Sequence, residues 1–229
     1  MKDWFPLASY EFYAFLTTGM VALAAYDRVF MGSALAHEQH WTIVSGVFWA
    51  VVAYLVGQII AMPSAALLEH VVARRILRPP SEIVLGIHPP RRRERWLAAL
   101  SGAREYQPFP VPNQTRIMGK LATGLNVAST AMDGEAAFVA AFPHARSVSD
   151  TATRLDNFIN QYGMCRNVSM AAIIATAMLA YASWQTHDRM TVTLMIGAAV
   201  LAIGLFLRFI KFYAAYTREV FRTYDKVVS

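Results

Sequence analysis

The sequence predicts an all-α polytopic membrane protein, with four transmembrane helices in two hairpins and helical cytoplasmic extensions. Three observations support this fold class. Hydrophobic residues make up 56% of the 229 residues and charged residues only 16%, against about 45–50% and about 25% in average soluble domains. The apolar residues are concentrated in blocks. No segment shows the convincing apolar–polar alternation of a β-strand.

Four apolar blocks are candidate spans, because about 20 mostly apolar residues cross the hydrocarbon core. The clearest is WTIVSGVFWAVVAYLVGQIIAMPSAALL at 41–68, which has no charged residue. Two more lie at 168–184 and 191–207. The weakest begins near Tyr10 and reaches its far interface near Asp27.

These blocks divide the chain into four parts. The first transmembrane hairpin comprises residues 1–68, and the second comprises residues 166–207. A cytoplasmic domain of short helices is predicted between them, at 69–165. A cytoplasmic helical extension follows at 208–229.

Prolines and apolar periodicity outline the central helices. The helix of the second span keeps its apolar rhythm beyond residue 68, and Pro63 predicts a kink within it. Asn113 is a plausible N-cap of a later helix, in which Ile117 and Leu121 lie on one apolar stripe.

A second stripe follows the fourth span and is largely aromatic. Its members lie on one helix face: Phe209, Tyr213, Tyr216, Val220 and Tyr224. We expect plain helix packing from this stripe. The alternative is a surface on which bases stack.

Lysine and arginine are distributed unevenly, and this distribution predicts the orientation. The loop at 29–40 has none, and the loop QTHDRM has only Arg189. Ten lie in the central segment: Arg74, Arg75, Arg78, Arg91, Arg92, Arg93, Arg95, Arg104, Arg116 and Lys120. Five follow the fourth span: Arg208, Lys211, Arg218, Arg222 and Lys226. Both termini are therefore predicted on the cytoplasmic side of a bacterial inner membrane.

Four arginines, Arg91, Arg92, Arg93 and Arg95, form the predicted ligand-binding site. They lie beyond two double prolines, so nothing forces them against the membrane. Arg95 follows Arg91 by four residues on the same helix face, and paired guanidinium groups suit a phosphate. The expected ligand is a nucleotide or a short oligonucleotide. The alternatives are a role in orientation alone and a contact with anionic lipid headgroups.

Polar residues within the spans form the second candidate group. A polar side chain in hydrocarbon costs free energy unless it is paired or faces water. Thr17 and Thr18 lie in the first span, and Gln58 and Ser64 lie in the second. These four residues are the predicted pore lining.

Small residues recur in the third and fourth spans, where they suit close helix contacts in lipid. They are Ala172, Thr176, Ala180, Gly197, Ala198, Ala202 and Gly204. We expect a homo-oligomer, because four spans from one chain leave little room for a central path. A conducting path would lie on the axis of a ring of chains.

Signatures of enzymes are absent from the sequence. It contains no Gly-rich phosphate loop, no GxSxG and no histidine spacing typical of zinc. One cysteine, Cys165, excludes an intrachain disulfide. We expect no catalytic residue, no metal and no cofactor.

Two segments, LDNFINQYGMCRNVSMAA at 155–172 and FIKFYAAYTREVFRTY at 209–224, resemble small four-span bacterial proteins encoded beside nucleotidyltransferases in anti-phage operons. The channel effectors of the Hailong system are similar to them. The resemblance implies an oligomeric channel that a short DNA oligomer holds shut. It covers about a seventh of the chain and transfers no functional residue.

The leading hypothesis is therefore a homo-oligomeric channel or pore-forming effector, gated at its cytoplasmic face by an anionic ligand. The alternative is a non-conducting membrane scaffold that docks a cytoplasmic partner protein or anionic lipid. A ring lined by symmetric polar residues would favour the pore, and a monomer would favour the scaffold.

Overall fold

The computed structural model describes residues 10–101, 106–128 and 132–228, and its secondary structure is helical. The helices are α1 (Tyr10–Phe30), α2 (Ile43–Ser64), α3 (Pro80–Val84), α4 (Arg92–Ser101), α5 (Val111–Leu125), α6 (Gly134–Arg146), α7 (Ser149–Thr186) and α8 (Arg189–Val227). A π-helical segment, Ala65–Ile76, follows α2. No strand occurs within these ranges, which confirms the all-α class. Arg104, one of the ten central basic residues, lies outside the described residues.

Three helical segments are long and apolar enough to cross a membrane: the run Ile43–Val84, α7 and α8. They indicate a membrane location. Helix α1 has 21 residues but does not belong to this group. Charged residues at its two ends, Glu11, Asp27 and Arg28, lower its mean hydropathy. The count of four spans stays a prediction.

Helices α1 and α2 pack with their backbones in contact. A Cβ atom added to Gly19 would lie 1.7 Å from the carbonyl oxygen of Ala53, and one added to Gly57 would lie 1.9 Å from that of Phe15. Both pairs belong to the same antiparallel register. Only glycine permits so close an approach of two helix backbones.

The backbone changes its helix type after Pro63. Proline has no N–H, so the preceding turn loses one helical hydrogen bond. From Ala65 the chain continues as a π-helix to Ile76, and α3 begins at Pro80. The predicted helical continuation beyond residue 68 is confirmed, and the kink predicted at Pro63 stays a prediction.

The chain forms two compact units. The first comprises Met1–Glu69 and Gly163–Phe206, and the second comprises His70–Tyr162 and Leu207–Ser229. The first unit therefore holds α1, α2 and the apolar lengths of α7 and α8. The membrane side that the sequence assigns to each part stays a prediction.

The core of the second unit is built by α5, α6 and parts of α7 and α8. Ile117 and Leu121 of α5 pack there with Leu155 of α7 and with Val220 and Phe221 of α8. The stripe predicted on α5 therefore faces the core. Helix α5 begins at Val111, two residues before the predicted N-cap Asn113.

The aromatic stripe of α8 is part of this core. Phe209, Tyr216, Val220 and Tyr224 are buried, and Tyr213 is half-buried. Tyr216 and Tyr224 pack in the main cluster with Phe138 and Phe142 of α6. The interpretation as helix packing is confirmed, because buried rings offer no face to a base.

Candidate functional site

The second unit contains a cleft of about 640 Å³ between the start of α5, the first turns of α7 and the end of α8. Its lining is rich in charged side chains. Five are basic and two are acidic: Arg116, Arg154, Arg218, Arg222, Lys226, Glu219 and Asp225. The cleft therefore carries a net positive charge, which attracts anions into a concave surface.

Helix α8 supplies three of the five cations. Arg218, Arg222 and Lys226 follow one another at four-residue intervals, so they form one ridge along the helix. Val220 and Tyr224 lie on another face and are buried in the core. The same packing that buries the aromatic stripe thus turns the basic ridge toward the cleft.

Two cations are paired across the cleft. The Arg116 Nε lies 2.8 Å from Asp225 Oδ1, and its Nη2 lies 2.5 Å from Asp225 Oδ2. This hydrogen bonding raises the pKa of the Arg116 guanidinium above its ordinary value. Arg154 lies 2.9 Å from Glu219. These pairs hold α5 and α7 against the end of α8.

Arg218 is fixed by a carbonyl and a ring. Its Nη1 donates to the carbonyl oxygen of Gln107 at 2.6 Å. Its guanidinium carbon lies 4.5 Å from the centre of the buried Phe109 ring, within the range of a cation–π contact. The Phe109 N–H in turn donates to the carbonyl of Val84 at 3.0 Å. Arg218 is thus pre-positioned at the cleft wall.

Arg222 and Lys226 are exposed. Within the described part of the chain, no carboxylate pairs with either side chain. Their charges therefore stay available to a ligand. Together with the fixed Arg218, they present three positive groups along about two turns of one helix.

No family model, curated protein or solved structure matches this chain. The cleft is therefore interpreted from its own chemistry. Among residues 10–101, 106–128 and 132–228, no three histidine, cysteine or carboxylate side chains are grouped to hold a metal ion. The lining of the cleft has a net positive charge, which favours anions over cations.

The four predicted ligand-binding arginines lie elsewhere, on and beside α4. Arg91, Arg92, Arg93 and Arg95 are all exposed. Glu94 between them is fully buried and accepts the backbone N–H groups of Arg78 at 2.9 Å and Arg91 at 2.6 Å. The four side chains are thus exposed to solvent, and their role as a ligand site stays a prediction.

The predicted pore-lining residues lie in two different environments. Thr18 is fully buried and donates to the carbonyl of Ala14 at 2.7 Å, and Ser64 is fully buried and donates to Asn167 Oδ1 at 3.0 Å. Gln58 is exposed, and its Nε2 donates to the Tyr54 hydroxyl at 2.8 Å.

Thr17, the fourth of these residues, is half-buried. The structure therefore does not bring the four side chains to one common surface. Thr18 and Ser64 satisfy their hydroxyl groups inside the chain, while Gln58 keeps its amide on an outer face of α2.

A polar cluster in the first unit joins the end of α2 and the π-helix to α7. Arg166 forms an ion pair with Glu69, and both side chains are largely buried. The Arg166 Nε also donates to Asn167 Oδ1 at 3.3 Å, which the Ser64 hydroxyl reaches as well. Residues 97 positions apart form this pair, so no local pattern in the sequence predicts it.

A second polar cluster joins the loop after α1 to the start of α8. Arg28 Nη2 lies 2.5 Å from Asp188 Oδ2, and Asp188 caps α8 by accepting the Thr191 N–H at 3.0 Å. The hydrogen bonds from Thr191 lower the pKa of Asp188 to about 2. Asp27 is buried and accepts the backbone N–H groups of Leu35 and Ala36.

The cleft was not predicted as a site from the sequence. Arg116, Arg218, Arg222 and Lys226 enter the sequence analysis only as markers of orientation, and Arg154 does not enter it. One local signal was available, because Arg218, Arg222 and Lys226 share a helix face. The partners on α5 and α7 lie more than 60 residues away in the sequence and become neighbours only in the fold.

Proposed function

We propose that the chain is an inner-membrane protein with four spans and both termini in the cytoplasm. Support for the fourth span comes from α1, whose 21 residues extend about 31 Å and whose backbone contacts that of α2 at Gly19 and Gly57. Support for the sidedness comes from Arg28 and Asp188. Their ion pair joins the last turn of α1 to the loop before α8, and both are at ends that the distribution of lysine and arginine assigns to the outer side.

The proposed assembly is a homo-oligomeric channel. Gly197 and Gly204 lie seven residues apart on α8, so they share one face, and a Cβ atom on either would meet nothing within 4 Å. That face is open within the protomer, and small residues suit close packing in lipid. In a ring, the exposed amide of Gln58 is the best placed of the four predicted pore-lining groups to face a wet axis.

The proposed regulator is a polyanion, such as a nucleotide or a short oligonucleotide, that binds in the cleft of the second unit. The observation that carries this proposal is the cleft of about 640 Å³ with five cations against two carboxylates. Its ridge of three cations belongs to α8, the same uninterrupted helix that contains Gly197 and Gly204. Binding at one end of this helix can therefore bias the packing of its apolar length.

The test uses two double variants that change the net charge equally. Arg222→Glu with Lys226→Glu alters the cleft, and Arg91→Glu with Arg95→Glu alters the patch on α4. Each protein is reconstituted in liposomes, and potassium and chloride flux is measured with and without a fluorescently labelled oligonucleotide, whose binding is followed in parallel. Binding in the cleft should weaken steeply with salt, because it releases counterions.

Loss of binding and of flux control in the cleft variant alone supports the proposal. Loss in the α4 variant alone would assign the ligand to the predicted arginines. Unchanged binding of every anion in both variants would contradict ligand gating. A monomer in native mass spectrometry would contradict the channel. A Gly204→Leu variant that stays monomeric while the parent protein forms a ring would support the α8 interface.

The alternative function is a non-conducting scaffold that docks a cytoplasmic partner or anionic lipid. The buried hydroxyl groups of Thr18 and Ser64 favour it, because both are satisfied by partners within the chain and need no water-filled path. The absence of flux from a stable oligomer would support this alternative. A role in anti-phage defence rests on the resemblance of two segments, and a plaque assay on cells that express the chain tests it.

A further inference from the structure

Helix α4 presents an apolar ridge that none of the described residues of the second unit covers. Trp96 is 70% exposed and Leu100 is 66% exposed. The two residues are four positions apart, so their side chains lie on the same face of the helix. Trp96 is the only exposed aromatic residue among the described residues of the second unit. A single exposed Trp on a polar protein surface is typical of a contact with a partner that has both an apolar and a polar part.

The fold holds this ridge outward. Glu94 lies on the opposite face of α4, is fully buried, and accepts the backbone N–H groups of Arg78 and Arg91. Ala98, four residues further along, is buried on the same side. Rolling the helix to bury Trp96 would expose Ala98 and leave two backbone donors without Glu94. Exposure of the ridge is therefore a consequence of how the helix is anchored.

Positive charge flanks the ridge. Arg92 precedes Trp96 by one helical turn, and Arg93 and Arg95 lie to the two sides of that line. All three are exposed, and no carboxylate of the described residues pairs with them. The only acidic residue of α4 is the buried Glu94. Among the described side chains of α4, the exposed ones are therefore either apolar or carry a guanidinium group.

We propose that α4 is an interfacial helix that docks on an anionic bilayer surface. Trp96 and Leu100 would enter the boundary between headgroups and acyl chains, and Arg92, Arg93 and Arg95 would bind lipid phosphates. An apolar ridge with flanking basic residues is the composition of helices that lie in the membrane interface. A bilayer is available to this chain, because it carries three helical segments that are long and apolar enough to cross one. The proposal does not depend on channel activity.

The occupant follows from shape and charge. A phosphate compound in solution is held best in a concave site, and the cleft of α5, α7 and α8 offers one. The surface of α4 carries exposed apolar groups, which a dissolved anion would leave in water. A second copy of the chain would have to place carboxylates against three arginines. An anionic bilayer supplies the apolar layer and the phosphates together.

The test places an environment-sensitive dye on the ridge of the full chain. In a Cys165→Ser background, Trp96→Cys carries the dye, and Val139→Cys on α6, which is 64% exposed, carries it as the matched control. The proteins are placed in nanodiscs of phosphatidylcholine with or without phosphatidylglycerol, and some discs contain lipids with a nitroxide on the acyl chain. We expect a blue shift and nitroxide quenching at position 96 with phosphatidylglycerol, and neither at position 139.

Removing the arginines separates this proposal from its competitors. Arg92→Gln, Arg93→Gln and Arg95→Gln should each shift the docking equilibrium about fivefold toward the undocked state. No quenching at position 96 in either lipid would overturn the proposal. So would a blue shift without nitroxide quenching, which would assign the ridge to a second copy. A blue shift that requires added oligonucleotide would assign it to nucleic acid.

Discussion

The contact between α1 and α2 gives the sharpest test of the fold, through the substitution Gly57→Ala. The added Cβ would lie 1.9 Å from the carbonyl oxygen of Phe15, whereas ordinary contacts begin at 3.4 Å. The two helices must therefore separate locally by about 1.5 Å, which removes their closest approach. No flexible side chain can yield here, because the atom in the way belongs to the backbone.

The expected energy combines two opposing effects. Overpacking lowers the free energy of unfolding by roughly 1–3 kcal/mol. Alanine in place of a helical glycine raises it by up to about 1 kcal/mol. Gly46→Ala on the same helix is the matched control, because its Cβ would meet nothing within 4 Å. The control therefore shows only the second effect. Gly57→Ala should be less stable than Gly46→Ala by roughly 1–3 kcal/mol.

Reversible unfolding in mixed micelles, followed by circular dichroism, measures the difference between the two variants. Gly19→Ala should behave like Gly57→Ala, because its Cβ would lie 1.7 Å from the carbonyl oxygen of Ala53. Equal unfolding free energies for Gly57→Ala and Gly46→Ala would show that the two backbones do not meet at this point. The antiparallel register of α1 and α2 would then be wrong.

Three further outcomes are expected. Glu69→Gln should destabilise the fold by about 3–5 kcal/mol, because it leaves the largely buried Arg166 without its carboxylate partner. A double-mutant cycle with Arg166→Met checks that the lost free energy belongs to the ion pair. Glu94→Ala should raise the rate of proteolysis near α4, since two backbone donors lose an acceptor at about 1–3 kcal/mol. Asp188 has a lowered pKa, so its contribution is complete above about pH 4 and is lost as the pH falls through about 2. Asp188→Asn should remove that part of the acid dependence of the melting temperature. An unchanged acid dependence in the variant would contradict the assignment to Asp188.

The sequence predicts the helical class and the core stripes well, because both depend on short-range periodicity. Ile117 and Leu121 lie on the core side of α5 as their spacing requires. Helix α5 begins two residues before the predicted N-cap Asn113. Pro112 stands in its first turn, where proline has the right φ and needs no hydrogen bond. A side-chain cap is only one of several ways to begin a helix.

The candidate site was less predictable than the fold. The dense run of arginines at 91–95 lies on and beside α4, whereas the basic cleft combines Arg116, Arg154 and the end of α8. These residues come from three separate stretches of the sequence, and each carries only one or a few basic residues. Charge density along the chain predicts exposed patches, while concavity depends on tertiary packing that periodicity does not describe.

The pairing of Arg116 with Asp225 and of Arg154 with Glu219 sets a threshold for any occupant of the cleft. A monovalent anion meets only Arg222 and Lys226 as unpaired groups, and it has too little charge to displace the two carboxylates. A ligand with several phosphates carries enough negative charge to compete with the two carboxylates for the paired guanidinium groups. The cleft should therefore select anions by their charge. Inorganic phosphate should not bind at cellular salt concentrations, whereas a ligand with more than about two linked phosphates should bind.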